Sequence, residues 1–295
     1  MARVAFLACE GTLPGSPARR ADAFEHDRMV EALRPALAAR GHDLEEIAWD
    51  APLEAFEGAS LALLGTAWDY QDRLEAFLDR LEALAAQGIA VCNSPDAVRW
   101  NGDKRYLRAL AEDGVPTVPT LWLDDVDPAA LVHAFTHFDC DRLVVKRQVG
   151  AGAEGQEDFF RHAPPPAEWR FGRPAIVQPF QPSIVADGEY SFVFAGGAFS
   201  HAIRKIAAPG EYRIQSVYGG REEAHAPSPE DIATAEAIHA ALPFDDLLYA
   251  RIDMIRLDDG TLAVMEAECI EPYLYPREGP MLGERLAGAI AKRLS

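Results

Sequence analysis

The stretch VMEAECIEP, residues 264–272, carries Glu266, Glu268 and Glu271 in an otherwise apolar, strand-like run. Side chains alternate along a strand, so Glu266 and Glu268 point to the same face. Upstream, RIDMI (251–255) holds Asp253, and Asp258-Asp259-Gly260 reads as a hairpin turn. A turn there sets Asp253 roughly opposite Glu266, and three carboxylates then project together. Like charges so placed repel. A hard divalent cation bound to oxygen ligands and substrate phosphates relieves that repulsion, which is the coordination habit of Mg²⁺. A solvated acidic edge would also explain the carboxylates, but the flanking Ile252, Met254, Val264 and Met265 are apolar.

Cations lie in the middle of the chain. In VVKRQVGAGAEG, Lys146 closes an apolar strand and is followed by Gly150, Gly152 and Gly155. Glycines let backbone N–H groups approach phosphate oxygens, and the lysine adds a point charge. The lysine precedes the glycines and no GK[ST] follows, so this is no Walker loop; a flexible hairpin tip is the other reading. QPFQPSI (178–184) ends a strand with Gln178 and Phe180 and suits a hinge offering hydrogen bonds to an adenine edge, or simply a proline-terminated strand. HAIRKIAAPGEYRIQSVYGG (201–220) concentrates Arg204, Lys205 and Arg213. Arg213 and Gln215 share parity, so an extended segment aims both at one site. Oriented cations suggest an anionic ligand; compensation of neighbouring acids is the alternative.

The elements that must position these groups fall into an order. Strands at 3–9, 43–49, 59–65 and 89–95 alternate with helices at 26–41 and 69–88. That pattern predicts a parallel sheet covered by helices, ending near residue 100. A short helix opens after Asn101 or Asp103 and stops at Gly114. A strand at TLWL, a helix near 128–137 and strands at 142–147 and 174–180 follow. A hairpin over 189–206 turns at Gly196-Gly197, a helix covers 228–242, the second hairpin covers 248–269, and a helix over about 279–293 closes the chain.

Bulk composition narrows the function. The 295 residues are 49% hydrophobic, enough for one large domain or two to three smaller ones. With 28 Lys and Arg against 47 Asp and Glu, the net charge is −19. Such a chain repels nucleic acid and anionic membranes, so an anionic ligand must be met by local Lys and Arg groups and metal ions. Cys9, Cys92, Cys140 and Cys269 form no C-x-x-C pair, the opening VAFLAC lacks a cleavage site, and no stretch is long enough to span a membrane. These point to a reduced, cytoplasmic protein with buried thiols, Cys269 turning away from Glu266 and Glu268.

The pieces in this order resemble the ATP-grasp superfamily, in its glutathione-synthetase-like and RimK-like branch. The likeness covers about residues 95–292, with a matching N-terminal domain before it. It implies an α/β protein, α+β in the grasp region: a parallel-sheet pre-ATP-grasp domain over 1–100, a small lid subdomain with the glycine loop over 101–180, and a C-terminal subdomain with the metal site over 181–295, the nucleotide lying between the last two. By the same likeness, Lys104 and Lys146 contact ATP phosphates and the loop 150–155 closes over them. Gln178 and Phe180 lie at the adenine, Asp187 or Glu189 near the ribose, and Lys205 at a phosphate. Arg213 falls on the acyl-phosphate arginine and Gln215 on a metal-proximal amide. Asp253, Glu266 and Glu268 match ligands of two Mg²⁺. The superfamily usually reads E-x-N at its metal strand where this chain has E-x-E, which leaves the division between Glu266 and Glu268, and any substrate contact by Glu271, open.

AWDYQDRLEAF, NSPDAVRWNGDKRYLRAL and MEAECIEPYLY are similar to a narrower family, which contains the ATP-dependent ligase that closes the ring of D-cycloserine. Members commonly carry Arg-Ser-Thr before Trp-Asp-Tyr, where this chain has Gly65-Thr66-Ala67. The resemblance implies a ligase that joins a carboxylate to an amine through an acyl phosphate, on a small amino-acid-like substrate oriented by Trp68, Asp69 and Tyr70. Those three could equally pack between domains, with Asp69 capping the next helix. Joining of two small molecules, phosphoryl transfer to a hydroxyl, and a non-catalytic nucleotide-binding role are the alternatives. Relatives suggest a homodimer.

Overall fold

The computed structural model describes residues 1–150, 152–214 and 218–295. Strands β1 (Arg3–Ala8), β2 (Asp43–Ala48), β3 (Ala59–Thr66) and β4 (Ala90–Cys92) form a parallel sheet in the order β2-β1-β3-β4, with helices α1 (Phe24–Ala38) and α2 (Leu74–Ala86) in the connections. The central strand β1 is buried from Val4 to Ala8, as a strand covered on both faces must be. On α1, Met29, Val30, Leu33, Ala36 and Leu37 make the stripe that meets this core. The expected helix over 69–88 starts later, at Leu74. A 3₁₀ turn over Tyr70–Asp72 precedes it, and the Asp69 carboxylate accepts from Trp49 Nε1 (2.7 Å) and pairs with Arg73 rather than capping.

Two short helices follow. α3 (Pro95–Asn101) was not anticipated, although its signal is local: Ser94 Oγ accepts from Ala97 N (3.2 Å), with proline in the first turn. α4 (Tyr106–Glu112) sends Tyr106, Leu107 and Leu110 into a core shared with Phe192, Ile252 and Val264. Residues 95–112 therefore pack with the C-terminal sheet, where the sequence reading had set 101–180 in the lid.

The lid sheet contains β5 (Leu121–Leu123), β6 (Arg142–Arg147), β7 (Glu157–Phe160) and β8 (Ala175–Pro179) in the antiparallel order β5-β8-β6-β7, backed by α5 (Pro128–Phe138). It has a small core of its own around Val126, Leu131, Leu143 and Val177. After α6 (Ser183–Ala186), strands β9 (Glu189–Ala195), β10 (Ala198–Ile206), β11 (Arg221–His225), β12 (Tyr249–Arg256) and β13 (Leu262–Glu268) make an antiparallel sheet in the order β11-β10-β9-β12-β13, with α7 (Pro229–Ala240) inserted before β12. The last helix, α8 (Leu282–Arg293), returns to the N-terminal sheet, where Leu282, Leu286 and Ile290 share a core with Leu33 and Leu37. Among the described residues no helix is long and apolar enough to cross a membrane.

Candidate active site

Strand β13 is the edge of its sheet, and its free end is fixed by buried amides rather than by a neighbouring strand. Asn93 Nδ2 donates to the carbonyls of Tyr249 (2.9 Å) and Cys269 (2.7 Å), and Asn93 Oδ1 accepts from Leu248 N (2.7 Å). Asn101 Nδ2 donates to Ala267 O (2.7 Å), Asn101 Oδ1 accepts from Cys269 N (2.8 Å), and Tyr106 OH accepts from Ala267 N (2.9 Å). Four of these six bonds hold the segment that carries the glutamates, and the other two tie Asn93 to the start of β12. This gives the N-S-P-D…N stretch a physical task, since a buried strand edge without such partners would leave its polar groups unpaired.

The hairpin register is the expected one: Asp253 faces Glu266 across the strands, and Arg251 faces Glu268. All four line a cleft of about 560 Å³ between the N-terminal unit, the glycine loop and the C-terminal sheet. Asp253 is only 3% exposed. Its Oδ1 accepts from Ser191 Oγ (2.6 Å), and its Oδ2 accepts from Lys205 Nζ (3.1 Å) and Arg251 Nη2 (2.8 Å). Lys205 Nζ also pairs with Glu189 (2.8 Å), while Arg251 pairs with Glu268 and donates to Tyr273 O (3.0 Å). Lys104 Nζ meets Glu266 at 2.6 Å and donates to the carbonyl of Gly150. The cluster is a network of buried pairs in which each partner offsets the other's desolvation.

Burial shifts three groups of the cleft, of which only Glu268 belongs to that network. Lys146 lines the cleft, and among the described residues it has no ion pair. Burial and then its neighbour Lys104 draw its ammonium below the usual lysine range, with Glu266 acting the other way. Burial pushes the Glu268 carboxyl up to about 7; Arg251 opposes this, while Asp253 and Glu266 add to it. Burial also raises Glu271, which feels Glu268 and Glu266 as further repulsion. Asp253 behaves oppositely: despite burial, Arg251 and Lys205 hold it well below the carboxylate range.

A second, narrower cavity of about 60 Å³ opens between the lid and the C-terminal sheet. Its walls include Val118, Val144, Ile184, Ile255 and Met265, with Gln178 and Phe180 from the end of β8. Gln178 Nε2 donates to Thr120 Oγ1 (2.9 Å). Phe180 is held under the Arg142 guanidinium, 3.8 Å from the ring centre, and against the edge of Tyr212. Its own N–H is taken by Arg142 O (2.9 Å), so Phe180 offers a ring here rather than a donor. Lys146 and Glu189 line both cavities.

The structure separates other expected site residues. Gly150 and Gly152 line the cleft, and Gly152 has the left-handed φ of 62° that favours glycine. Gly155 lines neither cavity; it stands against the Arg147 side chain, leaving no room for a Cβ, whose nearest contact would be 2.9 Å. Asp187 is exposed and contributes only its carbonyl, to Arg204, because it ends α6 outside the sheet; Glu189, two residues on, points inward. Arg213 lines the narrow slot and not the cleft. It pairs with Glu211 (2.6 Å) and lies 3.8 Å over Tyr218, so the structure does not bring it to the carboxylates. Gln215 lies outside the described residues. Trp68 lines the cleft and donates to Glu271 O (3.1 Å), whereas Asp69 and Tyr70 do not line it. Asp69 is occupied by Trp49 and Arg73, and Tyr70 is packed in the N-terminal core beside Phe77.

Sequence reading passed over two arginines of the cleft. Arg251 is the centre of the buried network, and its place two residues before Asp253, on the same strand face, was a readable signal. Arg20 comes from the loop after β1, a Gly/Pro/Ser-rich stretch with no periodicity. It lies 5.4 Å over Trp68 and forms a two-point pair with Asp22 at 2.8 and 2.7 Å. At Gly65 a Cβ would sit 2.2 Å from the Phe6 ring, so this backbone has no space for a side chain.

The donor chemistry fits magnesium in part. Glu266 and Glu268 are oxygen ligands whose side chains remain 28% and 26% accessible to the cleft. Asp253 has both oxygens engaged by Ser191, Lys205 and Arg251. Among the described residues no three acidic, histidine or cysteine side chains are already gathered as a metal cluster.

Comparisons with known proteins agree with this architecture. Residues 4–93 match the family described as the N-terminal domain of D-cycloserine synthetase DcsG. The cycloserine biosynthesis protein DcsG of Streptomyces lavendulae is 30% identical over 290 residues, covering 92% of this chain and 94% of that one. The crystal structure of D-cycloserine synthetase DcsG superposes with a TM-score of 0.80 at 24% identity, over 99% of this chain and 100% of that chain. D-alanine–D-alanine ligase from Bacillus anthracis superposes with a TM-score of 0.66 at 16% identity, over 100% and 97% of the two chains. The ATP-grasp ligase PsnB, solved with Mg and ADP, superposes with a TM-score of 0.65 at 18% identity, over 98% of each. The chain belongs to the DcsG family of ATP-grasp ligases, enzymes that form amide bonds at the expense of ATP.

Proposed function

We propose that the narrow slot takes the adenine of ATP, that the wide cleft takes its triphosphate together with magnesium, and that a small amino-acid-like acid is activated there and closed into a ring. One observation carries this reading. Lys146, a half-buried cation with no ion pair among the described residues, stands where an apolar slot opens onto an acid-lined cleft. A ligand with a flat apolar end and a polyanionic end fits that junction, and an unpaired buried ammonium is stabilised by the anion it receives.

In this reading Gln178 and Phe180 hold the base, Glu189 lies toward the ribose, and Lys104, Lys146, Lys205 and the amides of Gly150 and Gly152 hold phosphate oxygens. Glu266 and Glu268 would hold magnesium, two ions being expected, with Asp253 joining only by exchanging a contact to Arg251 or Lys205. Magnesium supplies charge neutralisation for the transferring phosphoryl group. The substrate carboxylate attacks the γ-phosphorus and ADP departs, leaving an acyl phosphate. A nitrogen of the substrate then attacks the acyl carbon, an amide bond forms, and inorganic phosphate leaves. Arg251, near Glu268 and facing the cleft, is placed to stabilise the oxygens on which charge gathers. Trp68 and the neighbouring loop exclude water, which would otherwise hydrolyse the acyl phosphate.

The DcsG relative is described as a cycloserine biosynthesis protein, and a cycloserine-type ring closure is the form of the reaction favoured here. The test is Mg-ATP turnover over a panel of amino acids with hydroxylamine present. A trapped hydroxamate together with ADP is the expected result. A stable phosphate ester, or ADP release that no amino acid stimulates, contradicts the reading.

A further inference from the structure

Glu271 lies just past the end of β13, in the segment that closes the floor of the cleft. It is 8% exposed and lines both the cleft and a smaller recess beside Tyr70 and Gly102. Its backbone carbonyl is bonded to Trp68 Nε1. Among the described residues its carboxylate has no hydrogen bond and no ion pair, unlike Glu266, Glu268, Glu189 and Asp253 around it. The nearest cations are already engaged: Lys104 with Glu266, and Arg251 with Asp253 and Glu268. Of the three glutamates Glu266, Glu268 and Glu271 that line the cleft, two thus have cationic partners among the described residues.

A buried acid with no partner is costly, and nothing in the packing requires an acid there: Pro272 follows it, and the carbonyl, not the side chain, receives the tryptophan. The group that would complete it must be a hydrogen-bond donor or a cation entering through the cleft. Magnesium is one candidate. However, Glu266 and Glu268 share one strand face and lie toward Lys104, Arg251 and the phosphate cations, whereas Glu271 sits three residues on, against Trp68 of the N-terminal unit. That unit and the C-terminal sheet bound the end of the cleft remote from the adenine slot. An organic ammonium in that space would have the Glu271 carboxylate for its charge and Trp68 for its flank, the pairing that aromatic surfaces give to cations.

We propose that Glu271 is the specificity-determining residue that receives the free primary amino group of the substrate, while the carboxylate to be activated points toward Lys146 and the phosphates. The proposal rests on the ligase reading above and sharpens it. A substrate carrying an ammonium gains a buried ion pair, and the same acid without it leaves Glu271 unpaired, so discrimination comes from the cost of the missing partner.

Binding of two rings separates the outcomes. Cycloserine bears a primary amino group, and isoxazolidin-3-one is the same ring without it. With Mg-ADP present, calorimetric titration of the wild-type enzyme is expected to favour cycloserine by roughly 30-fold, the factor that loss of one partner of a buried charge pair produces. In Glu271→Gln that preference collapses, and Glu271→Asp retains part of it. Equal binding of the two rings by wild type, or an undiminished preference in Glu271→Gln, overturns the proposal while the ligase reading stands. A Glu271→Gln enzyme whose only change is a raised magnesium requirement assigns the residue to metal instead. Binding of neither ring by wild type overturns the cycloserine-type substrate reading and this proposal with it. Circular dichroism of each variant separates loss of recognition from loss of folding.

Discussion

The slot and the cleft share Lys146 and Glu189, yet their walls are held by different forces. The slot's walls include the apolar Val118, Val144, Ile184, Ile255 and Met265, with a ring clamped beneath Arg142. Its shape follows from ordinary packing and exists without a ligand. The cleft is lined by charges that satisfy one another: Lys104 with Glu266, Lys205 with Glu189 and Asp253, and Arg251 with Asp253 and Glu268. In a chain of net charge −19, that pairing allows so many carboxylates to be buried side by side. On the proposed reading, the contrast teaches that the slot would recognise form, whereas the cleft would hold charge that a polyanion and its counter-ions rearrange.

Substitution should reveal that contrast, the largest effect coming from the centre of the charged network. Arg251→Met leaves Asp253 and Glu268 without their shared partner and is expected to cost about 3–5 kcal/mol in urea unfolding; a loss below about 1 kcal/mol would show that the network is not held by this arginine. Lys146→Ala removes a cation that has no ion pair among the described residues. It should therefore leave the unfolding midpoint unchanged while lowering turnover by roughly 10²–10³-fold, the effect of removing one preorganised donor. On the apolar side, Phe180→Ala should raise the KM for ATP by roughly tenfold with kcat nearly preserved, as expected for lost burial against the base. The smallest effect belongs to Arg213→Ala, whose partner Glu211 is a surface neighbour: a change within about 1 kcal/mol in stability and a modest one in turnover. Abolished turnover in Arg213→Ala would return this arginine to the phosphates, where the resemblance alone had set it.

The parts of this arrangement legible in the sequence are those governed by short periods. Alternation along the last hairpin put Asp253 opposite Glu266, and the strand–helix rhythm of the first hundred residues gave a parallel sheet; both depend only on neighbours in the chain. Lys146, Gln178 and Phe180 were readable because each lies within one residue of a strand end, at a marked break. Arg20 was not, since its loop has no period and its place over Trp68 is set by tertiary packing. Arg213 shows the opposite failure: parity along an extended segment says which way a side chain points, not what Glu211 two residues away does with it. The sequence reading carries the strand through Pro95 and opens the next helix only after Asn101 or Asp103, so it passes over α3, which Ser94-Pro95 announces. The fixing of β13 by Asn93 and Asn101 spans more than 150 residues of sequence and has no local signature.

The central claim is that one nucleotide spans both cavities, its base in the slot and its terminal phosphate among Lys146, Lys104 and the hairpin glutamates. A crystal structure with magnesium and the non-hydrolysable analogue AMPPNP tests it most directly. The account predicts the adenine between Met265 and the Val144 wall beside Phe180, with the γ-phosphate within hydrogen-bond reach of Lys146 and metal ligated by Glu266. A base bound in the wide cleft, or a triphosphate that contacts neither Lys146 nor the metal held by Glu266, would contradict it.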